Sequence, residues 1–363
     1  ELGVEAADSD MSFSVKMPMG TASDARVLEW AGANVDTVFT QRSNLLRPAF
    51  LRMLRDILRF NRQASALATS SVPAPAMPLG EFLDLHNYGD EFRHWYLLPM
   101  AACIWSCPAR QMLAFPLATF IRFCHNHGLL QVSDRPQWRT VRGGSRVYVE
   151  KLLAGIPQQR LACPVLAVRR QPHEGARMVE LHTAAGVEHV DHVVLACHSD
   201  QSLALLADIR DDERSVLEAV RYQPNRAVLH TDASCLPQRR KAWSAWNYQG
   251  RPAAQGEAPQ VCVHYLLNQL QPLPFSTPVI VSLNPLDEPA PASIIDEFSY
   301  AHPVFDGAAI AAQARLAGFQ GAQHTWFAGA WTGYGFHEDG LKSGLAVAQI
   351  LNGMAAAELG HAA

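Results

Sequence analysis

The chain has 363 residues, of which 48% are hydrophobic and 18% are charged. This composition can fill a sizeable core and excludes a disordered chain, and about 100–200 residues per domain suggests two domains or one large one. The net charge of -4 provides no basic field, which argues against nucleic acid as a partner. The seven cysteines include no CxxC pair, and no signal peptide or long apolar run is visible. We therefore expect buried thiols, no metal and a cytoplasmic location.

The first part of the chain predicts short strands followed by a helix. Alternating residues predict three strands, at 11–17, 27–30 and 35–40. The Ala-Gly-Ala-Asn turn at 31–34 would join the last two strands as a hairpin. A helix is expected over 48–62, with Ser43 or Asn44 as its cap and Pro48 in its first turn.

The middle of the chain changes from helices to strands. Apolar spacing and breaker residues predict helices at 79–86, 91–107 and 116–128. Pro99 is expected to kink or break the second of these helices. Later strands are predicted at 161–170, 176–183, 187–197, 226–231, 242–248, 260–268 and 278–283, with helices at 199–206 and 211–220. Several of these strands alternate, which favours an antiparallel sheet within an α+β organisation.

The segment 325–348 reads TWFAGAWTGYGFHEDGLKSGLAVA, and it is the most informative part of the sequence. It predicts a short buried strand, a glycine-containing crossing and a helix with small residues in its first turns. Glycine allows a backbone to approach a flat ligand, and a helix start offers free N–H groups with a partial positive charge. The residues alone leave two interpretations open, a site for an electron-rich ring or a tight helix–sheet contact.

Several motifs together resemble the flavin-containing amine oxidase superfamily. Its carboxy-terminal FAD-binding segment resembles Phe327-Ala328-Gly329, Gly340 and Ser343-Gly344. The strand-like runs from 161 to 196 resemble the family's inner β-meander, and Gly143-Gly144-Ser145 resembles its internal glycine turn. A bacterial branch of FAD-dependent or NAD/FAD-binding oxidoreductases is similar over four longer stretches, at 45–60, 96–108, 126–141 and 326–348.

The resemblance implies an α/β fold in which a Rossmann-like FAD-binding domain is interleaved with an α+β substrate domain containing an antiparallel sheet. The substrate domain would comprise 1–134 and 216–305, and the FAD-binding domain 135–215 and 306–363. The family's G-x-G-x-x-G fingerprint does not occur in the sequence. We therefore expect the first strand, its phosphate loop and the acidic ribose ligand to precede Glu1, which makes the FAD-binding domain incomplete at its N-terminus.

The resemblance also implies a set of FAD-binding residues, namely Val165, Ala196, Gly329, Ala330, Glu338, Asp339, Gly340 and Leu341. The first two would lie near the adenosine half of FAD, the glycine–alanine pair near the ribityl chain and pyrophosphate, and the last four would present helix-start amides to the flavin. His337 stands where many amine oxidases place an aromatic residue facing the flavin. It is a candidate substrate-facing group or proton relay, with a structural or surface histidine as the alternative.

Two further features bear on the substrate. Helix 48–62 carries arginines at helical spacing beside leucines, at positions 52, 55, 59 and 62. Such a helix either makes peripheral contact with an anionic membrane or has an ordinary solvated face. The aromatic-rich block 81–127 would line a hydrophobic tunnel or form core. The resemblance favours dehydrogenation of a hydrophobic substrate such as a lipid acyl chain. The alternatives are oxidation of a soluble amine and a non-catalytic lipid- or protein-interaction module.

Overall fold

A computed structural model describes residues 2–19, 26–72, 74–105, 109–131, 136–170, 179–251 and 260–361. Contacts within the chain divide it into two compact units. Unit 1 comprises Glu1–Pro157 and Pro224–His302, and unit 2 comprises Gln158–Gln223 and Pro303–Ala363. The predicted α/β class with interleaved parts is confirmed. The assignment of substrate binding to 1–134 and 216–305, and of FAD binding to the rest, stays a prediction.

Four sheets account for the strands of the described residues. The strands are β1 (Ala6–Ser9), β2 (Phe13–Pro18), β3 (Val27–Ala31), β4 (Trp138–Val141), β5 (Val165–Arg169), β6 (Val179–Thr183), β7 (Gly186–Val190), β8 (Val193–Leu195), β9 (Arg221–His230), β10 (Trp246–Arg251), β11 (Gln260–Leu266), β12 (Ile280–Leu283), β13 (Ile294–Val304) and β14 (Thr325–Phe327). The largest sheet has the order β13-β9-β12-β11-β10-β2-β3, and the others are β1-β4, β5-β6-β7 and β14-β8. The predicted antiparallel sheet is confirmed from β9 to β10, whereas β10 and β2 pair in parallel.

The helices of the described residues are α1 (Val35–Val38), α2 (Pro48–Thr69), α3 (Leu79–Leu85), α4 (Asp90–Phe92), α5 (Leu98–Trp105), α6 (Ala109–Leu113), α7 (Leu117–Asn126), α8 (Arg146–Leu153), α9 (Ser199–Leu205), α10 (Asp211–Leu217), α11 (Leu267–Leu270), α12 (Gly307–Arg315) and α13 (His337–His361). A π-helical turn, Arg93–Leu97, joins α4 to α5 just ahead of Pro99. The predicted irregularity is thus present, since proline lacks the N–H that a regular turn would use. No helix in the described ranges is long and apolar enough to cross a bilayer.

The core of unit 1 combines one face of the large sheet with helices. Val15, Leu28 and Trp30 of β2 and β3 pack with Phe50 and Met53 of α2. The aromatic residues of the helical block form core, as the buried rings of Phe60, Phe82, Phe92, Trp105 and Phe120 contact one another.

Unit 2 has its own apolar core around the parallel pair β8–β14. Leu195 and Phe327 from these strands pack with Val168 of β5, Val216 of α10 and Phe319. A buried ion pair closes the end of β5, where Arg170 Nη1 lies 2.6 Å from Glu213 Oε1. The pair is bidentate, which offsets part of the cost of burying two charges.

Three local predictions are wrong for identifiable reasons. The predicted hairpin strand at 35–40 is instead helix α1 at Val35–Val38 followed by a turn, because Asn34 and Thr37 exchange side-chain hydrogen bonds in a capping box. The cap of α2 is Arg47 without a side-chain bond, and the expected cap Asn44 is buried in a 3₁₀ turn. The run 187–197 is two strands, since β7 ends at Val190 and β8 begins at Val193. Parts of two predicted elements, at 106–107 and 176–178, lie outside the described residues.

Candidate functional site

The site is built at the carboxyl edge of the two parallel strands in unit 2. Phe327 of β14 pairs with Leu195 of β8, and the next amide, Ala328 N, donates to Leu195 O at 3.1 Å. Ala196 and Ala328 therefore leave the two strands side by side. Crevices outside the carboxyl ends of parallel strands are the usual ligand sites of α/β sheets.

The chain then crosses from β14 to α13 through a glycine that no other residue could replace without strain. Gly329 has φ +147°, and a Cβ there would lie 2.9 Å from Trp331 Cδ1. Its amide N donates to Ser343 Oγ at 2.9 Å, and that hydroxyl donates to Gly340 O at 2.8 Å. Ser343 therefore holds the crossing against the first turns of α13.

A buried tryptophan ties the crossing to the end of β8. Trp331 Nε1 donates to Cys197 O at 3.2 Å, and Trp331 is almost fully buried. Gln313 of α12 donates from Nε2 to Trp331 O at 2.8 Å and to Gly333 O at 2.7 Å. The position of the crossing is thus set by side chains from two other segments of unit 2.

The start of α13 satisfies some of its own amides. Asp339 N and Gly340 N donate to Phe336 O at 3.0 and 3.1 Å, and Asp339 Oδ2 accepts from Phe336 N at 3.0 Å. Two of the four amides assigned to the flavin by the resemblance are therefore already used, and a third, Leu341 N, lies in the fifth residue of α13, where the regular bond within the helix uses it. An amide hydrogen that already donates to one acceptor forms at most a weak second bond, so a ligand would depend on the amides that remain unpaired.

Backbone donors do remain around Gly340. The amides of Ala330, Trp331 and Glu338 have no acceptor among the described residues. Ala330 N lies close to Gly340, where an added Cβ would be 3.7 Å away. These donors lie at helix or turn starts, where unpaired N–H groups favour an anionic or carbonyl oxygen. Of the residues that the resemblance implies, Ala196, Gly329, Ala330, Glu338, Asp339, Gly340 and Leu341 thus belong to one edge of unit 2.

The remaining predicted residues occupy different positions. Val165 begins β5, pairs with Thr183 and packs, partly buried, on the core of unit 2. No contact of the described residues joins it to Gly329 or Ala330. His337 is the first residue of α13 and is exposed. The roles of Val165 and His337, like those of the other implied residues, stay predictions.

The unpaired backbone amides of the crossing and of the helix start could donate to oxygens of FAD. An added Cβ at Gly340 would meet only Ala330 N, at 3.7 Å, so the backbone can be approached there, whereas the space beside Gly329 is occupied by the Trp331 ring. Glu338 at this helix start forms an exposed ion pair with Lys342, whose Nζ lies 3.4 Å from Glu338 Oε1.

One group of potential metal ligands occurs among the described residues, in unit 1. His230, Cys235 and His264 have ligand atoms within 4.8 Å of one another. However, Asp232 N donates to His230 Nδ1 at 3.1 Å. The neutral ring therefore carries its hydrogen on Nε2, the nitrogen that would have to bind the metal. The group does not offer three open ligands, and the absence of a bound metal stays a prediction.

Sequence reasoning missed the side chains that support the crossing. Gln313 and the carbonyl of Cys197 bond to Trp331 from positions 18 and 134 residues away. Nothing in the local pattern around Gln313 marks it. Cys197 could have been included, because it directly follows the strand end at Ala196.

Comparison with known proteins gives a fold. No family model and no curated protein matches the sequence. The chain is similar to cyclohexylamine oxidase from Brevibacterium oxydans IH-35A, with a TM-score of 0.59 and 14% identity, over 97% of this chain and 84% of that one. Putrescine oxidase bound to putrescine gives 0.59 and 12% over 97% and 84%. A CLA-producing fatty acid isomerase from P. acnes gives 0.53 and 14% over 91% and 78%.

These neighbours are members of the flavin amine oxidase superfamily. The resemblance seen in the sequence is therefore confirmed as a likeness of fold, at low sequence identity.

Proposed function

We propose that this protein acts as an FAD-dependent oxidoreductase of the amine oxidase type. The observation that supports the proposal best is the set of unpaired amides, those of Ala330, Trp331 and Glu338, beside Gly340 at the carboxyl edge of β8 and β14. The similar fold of cyclohexylamine oxidase and putrescine oxidase adds support. When bound, FAD would supply the hydride acceptor.

The chain's own residues would bind and orient that group. The amides of Ala330 and Trp331 would donate to its oxygens, and Ala196 would flank it from the end of β8. Ser343 and Trp331 would hold the crossing in place, because they anchor it to α13 and to Cys197. Positioning by rigid backbone donors costs no reorganisation when charge develops on the bound ring.

For the substrate, we propose a hydrophobic molecule such as a lipid acyl chain. One structural neighbour is by its name a fatty acid isomerase, which makes an acyl chain compatible with this fold. Oxidation of a soluble amine is the second candidate, favoured by the names of two neighbours. Peroxide release with putrescine or cyclohexylamine, and none with acyl substrates, would decide for the amine.

A flavin titration tests the site. Quenching of FAD fluorescence is measured as the protein, expressed from its full coding region, is added, for the wild type, Gly340→Val and Gly344→Val. A side chain at Gly340 would face Ala330 N, whereas one at Gly344 meets nothing within 4 Å. The two substitutions change helix propensity equally, so the second is a matched control.

We expect saturable quenching in the wild type and the control, and an affinity at least tenfold lower in Gly340→Val. If the wild type gives no saturable quenching, the flavin proposal is wrong. If both variants lose quenching equally, the assignment of Gly340 to the site is wrong.

A further inference from the structure

Unit 1 contains a cavity that lies outside the site described above. It has a volume of about 290 Å³ and lies between α2, α3 and the loop that joins them. Its wall is apolar apart from two residues, and it includes Ala66, Leu67, Pro75 and Leu85, with Gln63 and His86 as the polar members. Leu85 is 64% exposed, so the cavity opens to solvent. No charged side chain lines it.

The polar members offer donors to a ligand. Gln63 Oε1 accepts a hydrogen bond from Tyr88 OH at 2.7 Å, which fixes the orientation of the side-chain amide. The amide nitrogen Nε2 is then the atom that can donate to a ligand. That nitrogen has no acceptor among the described residues. His86 packs its ring on Phe82, with ring centroids 4.4 Å apart. An apolar cavity with a few polar groups is the usual composition of a small-molecule site.

Arg62 of α2 has no ion-pair partner in the described residues, and it lies outside the cavity wall itself. Arg62 precedes Gln63 and lies one helical turn before Ala66, so it shares a face with a cavity residue. Burial raises the pKa of Tyr88, and the positive charge of Arg59 and, more weakly, that of Arg62 act against this rise.

Three other arginines of α2 contact acidic side chains, and two of them share one carboxylate. Arg52 pairs with Glu91, and Arg55 and Arg59 both contact Asp56. Near the cavity, Asp84 of α3 is held by Arg93 at 2.6 Å, and Glu81 is exposed on the first turn of α3. Of these four arginines, Arg62 has no acidic contact among the described residues, so its guanidinium is available to a ligand.

We propose that this cavity binds the alkyl chain of a free fatty carboxylate, with the carboxylate at Arg62 and Gln63. The apolar wall would take the chain, and the guanidinium and the amide would donate to the carboxylate. Small-molecule sites have volumes of about 300–1,000 Å³, so this cavity suits one medium-length chain rather than a two-tailed lipid. The inference does not depend on the flavin proposal, because its residues all lie in unit 1.

The charge part is tested by calorimetric titration of the 363-residue protein with decanoate and with 1-decanol, both as monomers. We expect saturable binding of decanoate that is at least fivefold tighter than that of 1-decanol. Arg62→Gln should reduce decanoate affinity to the level of 1-decanol, whereas the matched variant Arg55→Gln should not. Equal binding of the two ligands by the wild type would overturn the assignment of Arg62.

The location is tested by filling the cavity. Ala66→Trp should abolish decanoate binding, while Ala68→Trp, on the same helix outside the cavity wall, should retain it. Both variants are checked for folding by circular dichroism. Retained affinity in a folded Ala66→Trp variant, or no saturable decanoate binding by the wild type, would overturn the proposal.

Discussion

Ser282 Oγ lies 2.6 Å from His264 Nδ1, and the same hydroxyl lies 2.6 Å from His230 Nε2. The hydroxyl has one hydrogen, so it donates to one ring and accepts from the other. His230 accepts from Asp232 N on Nδ1 and therefore donates from Nε2 to Ser282, which in turn donates to His264 Nδ1. His264 then donates from Nε2 to Gln249 Oε1 at 2.8 Å. This buried chain is complete only while both rings are neutral.

Ser282→Ala tests this chain at neutral pH. The substitution leaves a donor on His230 and an acceptor on His264 unpaired in the core of unit 1. An unpaired buried group costs about 1–3 kcal/mol, so we expect the free energy of unfolding to fall by about 2–4 kcal/mol. Urea denaturation measures it, with Ser65→Ala on helix α2 as the control. A loss no larger than that of the control would contradict the chain.

The same rings predict a loss of stability in acid. Burial lowers the pKa of His264 to about 3, and it also lowers the pKa of His230. In the unfolded chain both rings take up a proton near pH 6.5. The unfolded state therefore binds more protons below that pH, and the free energy of unfolding falls as the pH drops from about 6.5 toward the folded pKa. The slope is at most about 1.4 kcal/mol per pH unit and histidine.

Urea denaturation at pH 7.5 and pH 5.0 measures this slope. We expect it to be shallower in His264→Gln, which has one fewer buried titrating ring, and unchanged in His125→Gln, whose histidine is exposed on α7. Equal slopes in the wild type and His264→Gln would show that His264 does not titrate differently in the two states.

Much of the fold could be predicted from local patterns. Acidic residues in the first turn from Asp211 predict helix α10, and Pro116 and Gly128 predict the limits of helix α7. The structure has both helices. Strand β13 was not predicted, because its residues are mostly exposed and give no apolar alternation to detect. The strand predicted over helix α1 is wrong, because a capping box at Asn34 outweighs the β-branched and aromatic residues at 35–40.

The site could be predicted only in part, for a different reason. Gly329, Gly340 and Ser343 belong to one short segment whose small residues stand out in the sequence. The contact of Trp331 with Cys197 joins residues 134 apart, and no local signal indicates it. Phe336 O accepts hydrogen bonds from Asp339 N and Gly340 N. These bonds depend on the backbone geometry at the helix start, which cannot be predicted from composition.

A buried ion pair should make unit 2 sensitive to one substitution. Arg170 donates from Nη1 and Nη2 to Glu213 at 2.6 and 2.9 Å, and both side chains are fully buried. Glu213→Ala leaves the guanidinium with Asp208 alone, and we expect it to cost about 3 kcal/mol. Glu218→Ala on the same segment removes only an exposed pair with Arg214 and should cost less than about 1 kcal/mol. Urea denaturation followed by far-ultraviolet dichroism compares them, and similar costs would contradict the argument.

Ser343→Ala should loosen the crossing that carries the proposed flavin site. The variant leaves Gly329 N without its side-chain acceptor, which we expect to cost about 1–2 kcal/mol of the free energy of unfolding. Weaker FAD quenching should accompany that loss, since the amide of Ala330 follows directly in the chain. Lys342→Ala, one residue earlier and exposed, is the control. If a destabilised Ser343→Ala variant quenches FAD fluorescence as the wild type does, the hydrogen bond from Gly329 N to Ser343 does not support the flavin site.

Peripheral membrane contact through α2 is the remaining proposal, and the structure changes how it has to be tested. Three of its four arginines are paired with acidic residues, so the charge on this helix is smaller than the sequence indicated. Leu51 and Leu58 are nevertheless 45% and 58% exposed, and they alternate along one stripe with Arg55. Such a stripe would insert its leucines at the level of the lipid headgroups.

Pelleting with vesicles of phosphatidylglycerol and phosphatidylcholine measures this contact. We expect the double variant Leu51→Ser/Leu58→Ser to reduce the pelleted fraction severalfold, because burial of each leucine contributes about 1.5–3 kcal/mol at most. Leu152→Ser, which changes an exposed leucine on α8, is the control. High salt should weaken the binding only moderately, since Arg62 is the one arginine of the four that has no ion-pair partner among the described residues. Equal pelleting of the wild type and the double variant would mean that α2 has an ordinary solvated face.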